Sequence, residues 1–157
     1  MIKHIDIAVN LLSPSLIDKC GDIIIQAAKQ HVSPLIVIGS ELDESHQAIM
    51  LCNQYPSQLF CTTGVHPHYA SQWSNASADR LKQLAKQSSV VAIGECGLDY
   101  NRDFSPRDKQ RQAFSAQLEI ACELNMPVYM HCRDAHDDFI EIVNQYRTDL
   151  PNAVLHC

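Results

Sequence analysis

A chain of 157 residues, 46% hydrophobic and 19% charged, has the composition of one folded domain with a real core rather than of a disordered tract. A formal net charge of −6 argues against a broad basic surface that grips nucleic acid by charge alone. The longest apolar runs, such as Ile23–Ile25 and Pro34–Gly39, are too short to cross a membrane.

The opening residues Met1-Ile2-Lys3-His4-Ile5-Asp6 lack the apolar stretch and cleavage site of a secretory signal. Seven cysteines, an odd number without a Cys-x-x-Cys pair, fit reduced thiols better than a disulfide framework. A cytoplasmic location is therefore expected.

Along the chain, short β-branched or apolar runs alternate with longer helical patterns. His4–Asn10 predicts a first strand, and Ser13-Pro14 predicts a helix start before the helical spacing of Leu16–Gln30. Leu35–Gly39 reads as a strand covered on both faces, followed by a helix over about Leu42–Gln54. Leu59–Thr62 is a third strand ending at Gly64, Ala78–Lys86 a helix, and Val90–Ile93 a fourth strand. Ser105-Pro106 opens a helix that reaches Leu124, and Pro127–His131 is a fifth strand with proline at its first position. Phe139, Ile142 and Val143 mark a further helix, and Ala153–His156 a sixth strand.

Such alternation implies right-handed βαβ units and a parallel sheet. Two architectures fit: an open doubly wound sheet, or part of a (β/α)8 barrel. Barrels place chemistry at the C-terminal ends of several strands, whereas a doubly wound sheet concentrates it at one switch point. Here Asp6 and Asn10 lie on the first strand, His66 follows the third, and Glu95, His131 and His156 end the fourth, fifth and sixth. That spread favours the barrel, of which residues 1–157 supply only about six βα units as a single partial domain. Six units cannot close an eight-stranded barrel, so a truncated chain or one fragment of a longer protein is expected.

A divalent ion that activates water needs oxygen and imidazole donors converging from different elements, with one coordination position open. Glu95, His131 and His156 meet that need. Singly, each reads as a satisfied core histidine or a paired glutamate; together at three strand ends they read as one site. The cysteines that follow them, Cys96, Cys132 and Cys157, are expected to face the helices as small packing residues.

In Gly64-Val65-His66-Pro67-His68, His66 suits a phosphate contact or acid–base role better than His68 does. Arg133 is either a phosphate clamp or a surface partner of Asp134, Asp137 or Asp138. The acidic residues from Glu41 to Glu44 read as a solvated helix N-terminus, and Tyr69 and Trp73 as packing for the loop after the third strand. No dinucleotide fingerprint, P-loop or serine-hydrolase elbow occurs.

Gly64-Val65-His66-Pro67-His68, Ile93-Gly94-Glu95-Cys96-Gly97-Leu98-Asp99-Tyr100, Met130-His131-Cys132-Arg133-Asp134-Ala135 and Leu155-His156-Cys157, in that order, resemble the TatD deoxyribonucleases. These belong to the amidohydrolase-like metal-dependent barrels. The opening His4–Leu11 and Ser71-Gln72-Trp73 resemble the bacterial TatD branch.

The resemblance implies a Mg²⁺-dependent hydrolase that trims single-stranded DNA, and RNA, from the 3′ end and serves DNA repair. By that likeness Glu95, His131 and His156 are metal ligands, Glu95 and His66 the catalytic residues, and His66 and Arg133 the phosphate contacts. Mn²⁺ and Zn²⁺ suit the same donors. Many relatives carry a His-x-His pair on the first strand; Ala8 and Asn10 stand there in this chain, so a second ion would lack those imidazoles. A further aspartate, in a Glu-Thr-Asp-Ala-Pro segment, lies beyond residue 157 by the same likeness. Two other readings remain: a metal hydrolase of small esters or amides on the same barrel, and an inactive partial barrel that only binds metal or nucleic acid, or self-associates through its open edge.

Overall fold

The structure is a computed structural model that describes residues 4–156; the expectation for Cys157 lies outside the described residues. The apolar runs become six strands, β1 (His4–Val9), β2 (Val32–Val37), β3 (Leu59–Thr63), β4 (Val90–Asp99), β5 (Val128–Arg133) and β6 (Ala153–His156). The amphipathic segments become α1 (Cys20–Lys29), α2 (Leu42–Gln54), α3 (Asn75–Leu84), α4 (Arg107–Leu124) and α5 (His136–Tyr146). All strand pairs are parallel, and the spatial order β1-β2-β3-β4-β5-β6 follows the sequence. A doubly wound sheet reverses direction partway; this one never does. It is the wall of a (β/α) barrel over six strands.

Strand alternation divides the sheet. Leu35 and Val37 of β2 stand in register with Leu59 and Cys61 of β3, and all of them bury with Ile24 of α1 and Ala48, Ile49, Leu51 and Cys52 of α2. A second cluster joins Cys96, Leu98, Val128 and Met130 to Phe114, Leu118, Phe139 and Ile142, with Phe114 and Phe139 stacked at 5.1 Å. Cys96 is fully buried in this cluster and Cys132 packs against it, as expected for residues that alternate with inward-facing ligands. The strands at the two sides of the sheet are open. Ile5 and Ile7 of β1 and Val154 and Leu155 of β6 are exposed.

Several boundaries differ from the sequence expectations, β2 among them, which spans Val32–Val37 rather than Leu35–Gly39. Ser13-Pro14 does not open a helix: Leu16 and Ile17 both donate to the Ser13 carbonyl, at 2.9 and 3.0 Å, a 3-10 turn over Ile17–Lys19 follows, and α1 starts at Cys20. The third helix begins at Asn75 rather than Ala78, because Ser74 and Ser77 form a reciprocal capping box. Most consequential, β4 does not stop at Ile93 but runs on to Asp99.

That extension depends on Gly94 and Gly97, with φ of 135° and 143°. A Cβ on Gly94 would sit 2.0 Å from the Tyr129 carbonyl oxygen, and one on Gly97 1.9 Å from that of His131. Only glycine allows β4 to lie this close to β5 in this conformation.

Candidate metal centre

Strand register assembles the centre. Gly97 of β4 is opposite His131 of β5, and His131 is opposite His156 of β6. Glu95 reaches both imidazoles: its Oε1 lies 3.3 Å from His131 Nδ1 and 3.9 Å from His156 Nδ1. The loop after β3 brings His66 against them, its ring 4.8 Å from that of His131. Donor atoms of His66, Glu95 and His131 all lie within 4.8 Å of one another. His156 stands at the rim, half exposed.

Two glutamines on one face of α4, two turns apart, hold the loops that carry these groups. The Gln117 side chain accepts from the Val65 N–H at 2.7 Å and donates to the Val65 carbonyl at 3.0 Å, which fixes the residue before His66. Gln110 does the same for Asp99, accepting its N–H at 2.8 Å and donating to its carbonyl at 3.2 Å and to that of Ser105 at 2.8 Å. Both amides are buried with their polar atoms bonded, so each loop is braced.

Asp99 is the group that sequence reasoning passed over. It is 1% exposed, yet its carboxylate is well supplied with donors: Oδ1 accepts from the N–H groups of Asn101 and Arg102, and Oδ2 lies 2.7 Å from His68 Nε2. Oδ2 also lies 3.7 Å from His131 Nε2. Burial works against the charge, but the Arg102 N–H, the His68 hydrogen bond and the Asn101 N–H outweigh it and hold the carboxyl below its usual range. The same balance holds at Glu95, where the hydrogen bond to His131 and the fields of His66, His131 and His156 overcome desolvation. Both acids are therefore carboxylates at neutral pH.

His66 is neutral. Burial drives its pKa from 6.5 down to about 4, the nearby His68 and His131 adding to the fall while Glu95 and Asp99 resist it. Its Nδ1 accepts the His68 backbone N–H at 3.2 Å, so the single ring proton of the neutral tautomer sits on Nε2. In that tautomer His66 offers an N–H donor at Nε2 rather than a lone pair.

A stability signature follows from the depressed pKa. As pH falls from 6.5 toward 4, the unfolded imidazole takes a proton that the folded one refuses, so stability is complete above the unfolded value and drops through this window. Thermal melts of the unaltered chain should weaken over that range more steeply than those of His66→Gln; parallel curves would contradict the neutral buried imidazole.

The residues fit a divalent cation. His131 Nε2 is a buried polar atom without a full hydrogen bond, and the ring stands between two carboxylates, Nδ1 toward Glu95 and Nε2 toward Asp99. An imidazole ligand commonly gives one lone pair to the ion and its other N–H to a carboxylate behind it. Glu95, which also meets His156, marks the ligand side. A shallow cleft of about 190 Å³ opens beside it, lined by Ala8, Asn10, Ser40, Glu44, Glu95 and His156.

Ala8 and Asn10 thus flank this cleft without imidazoles. Glu44, expected to be a solvated acid, instead accepts the Ser40 N–H and hydroxyl. Arg133 is exposed at the end of β5, and no ion pair engages its side chain among the described residues: Asp138 is held by Arg111 and Tyr100, and Asp134 by Asn101. Trp73 packs against the core as expected, while Tyr69 is partly exposed.

Sequentially ordered parallel strands with a His/Glu group at their C-terminal ends define the barrel class of metal-dependent hydrolases. The chain belongs to the TatD-related DNase family, whose model matches residues 5–157. It is 50% identical over 152 residues to the 3′-5′ ssDNA/RNA exonuclease TatD of Pectobacterium atrosepticum and 51% identical to that of Escherichia fergusonii. In both cases 97% of this chain is aligned, and it spans 58% of the length of these curated relatives. Among solved structures, a TatD-family hydrolase from Entamoeba histolytica superposes with a TM-score of 0.86 at 26% identity, covering 99% of this chain and 58% of that one.

Proposed function

We propose that this site is the metal centre of a phosphodiesterase that removes nucleotides from the 3′ end of single-stranded DNA and RNA, in the cytoplasm and in the service of DNA repair. The observation that carries the reading is the convergence of Glu95, His131 and His156 from three adjacent strands, with a buried neutral His66 against them. Glu95, His131 and His156 would hold Mg²⁺, and Mn²⁺ or Zn²⁺ suit the same donors. When bound, the ion supplies an acidified water and offsets phosphate charge.

The chain's own residues do the rest. Nε2–H of His66 donates to a non-bridging phosphate oxygen, a role that a neutral imidazole keeps across the whole physiological range. Arg133, exposed at the end of β5, would present its guanidinium to the same phosphate. Asp99 is a positioning residue that orients His131 from behind and fixes His68. Neither carboxylate is left to take a proton from water: Glu95 serves the ion, and Asp99 is committed to its donors. That proton would leave to solvent, or to the further aspartate that the family resemblance implies and that residues 1–157 do not contain.

A 3′-labelled oligonucleotide, a 5′-labelled one and a small phosphodiester ester, each with Mg²⁺ and with EDTA, test the reading. Loss of the 3′ label ahead of internal cutting, abolished by EDTA, is expected; turnover of the small ester alone would move the chain to the small-substrate class.

The role of Asp99 has its own test. Asp99→Asn keeps an oxygen for the two backbone N–H groups but loses the charge behind His131, and Mn²⁺ affinity should fall roughly 10–100-fold, as for other outer partners of a ligand. Unchanged affinity would confine Asp99 to holding its loop.

A further inference from the structure

Phe104 is the most exposed large apolar side chain among the described residues, at 64%, yet its backbone is not loose. The loop between β4 and α4 is pinned on both sides of it. Before it, Asp99 accepts the N–H groups of Asn101 and Arg102. The Arg107 guanidinium grips the Asp103 carboxylate and lies over the Tyr100 ring at 4.3 Å. After it, buried Ser105 donates to the His68 carbonyl at 2.9 Å and accepts the Ser71 N–H at 3.1 Å, while Gln110 holds the Ser105 carbonyl. A braced loop thus presents a benzyl ring to water, a placement that gives up the burial energy the side chain could contribute.

The location suggests its use. The Phe104 ring packs edge-on against His68 at 4.8 Å, and His68 packs edge-on against His66 at 4.2 Å. The ring is therefore two contacts from the imidazole assigned to the phosphate, on the same rim. Arg102, two residues before it, is exposed as well. Aromatic rings beside cations at a phosphate site are the hardware of single-strand recognition, because every base has a π-face and stacking tolerates any sequence.

From this placement we infer that Phe104 is a stacking platform for a nucleobase at the 3′ end of the strand, holding the terminal segment while its phosphate lies at His66. The inference rests on the nucleic-acid reading above and adds the residue that takes the base. Because the loop is pre-braced, little ordering is lost when the base docks.

Binding of a short 5′-fluorescent oligonucleotide, made cleavage-resistant by terminal phosphorothioates and measured by anisotropy with Mg²⁺, tests it without relying on turnover. Phe104→Ala should weaken binding about tenfold, within the range of one lost base–aromatic stack, and Phe104→Trp should restore it. An oligonucleotide whose last two nucleotides are abasic should bind the unaltered chain about tenfold more weakly and be indifferent to Phe104→Ala. Equal affinity of Phe104→Ala and the unaltered chain for the intact strand overturns the inference and leaves the nuclease reading standing. An equal loss on intact and abasic strands overturns it too, by showing that the ring only supports the loop. If the unaltered chain binds neither strand, the nucleic-acid reading itself fails and the inference with it.

Discussion

Glu95→Gln should leave the fold in place while lowering Mn²⁺ affinity by more than the about 100-fold that losing an outer partner can cost, and should take metal-dependent trimming to background. Among the described residues, this carboxylate is the one that lies within 4 Å of both His131 and His156, at 3.3 and 3.9 Å, and its pKa is held below the usual range, so it is charged at neutral pH. Glutamine has nearly the same shape and a carbonyl that can still meet an imidazole N–H. What disappears is the charge. The side chain is only partly buried, and giving up a desolvated charge offsets the lost pairing with the histidines, so stability should move by no more than about 1 kcal/mol, or about 2–4 °C in Tm for a chain of this size. Calorimetric titration and a thermal melt on the same sample separate the two effects. Retained metal affinity would remove Glu95 from the seat; a collapsed melt would make its role structural.

The second large effect is expected at a residue with no side chain. Gly97→Ala places a methyl 1.9 Å from the His131 carbonyl oxygen, at a φ of 143° that an L-residue rarely adopts. Backbone meets backbone there, so no rotamer change relieves the contact; β4 and β5 have to separate. The expected cost is about 3 kcal/mol or more, in line with overpacking combined with backbone strain, and Tm should fall by roughly 10 °C. Because the strand displaced is the one that carries His131, any folded remainder should also bind Mn²⁺ poorly. A melt within a degree or two of the unaltered chain would show that the close approach of the strands is not needed.

Much of this was legible in the residues. Apolar runs separated by helical spacing gave the alternation, and polar residues at successive strand ends separated a barrel from a doubly wound sheet, a choice that the sequential strand order settles. Glu95, His131 and His156 stood out because ionisable groups are rare at the ends of buried strands.

What stayed hidden was cooperative. Val90–Ile93 looked complete as a strand, since glycine usually ends one; here two glycines prolong β4 by allowing contact with β5 that no single-strand pattern reveals. Gln110 and Gln117 looked like ordinary polar positions on a helix, and only the fold shows them closing on the backbones of Asp99 and Val65. Their spacing of two helical turns was the available signal, but glutamines at that spacing are more often solvated. Asp99 was visible beside the glycine motif, but the partner that explains its burial, His68, lies 31 residues earlier.

The central claim is that one divalent ion sits between Glu95, His131 and His156, and paramagnetic broadening by Mn²⁺ in the NMR spectrum of the unaltered chain tests it most directly. Substoichiometric Mn²⁺ should erase the resonances of Glu95, His131 and His156 first, then those of His66 and Asp99, with one ion bound per chain. Broadening centred instead on the exposed acids at the start of α5, Asp137 and Asp138, or none at all, would contradict the account.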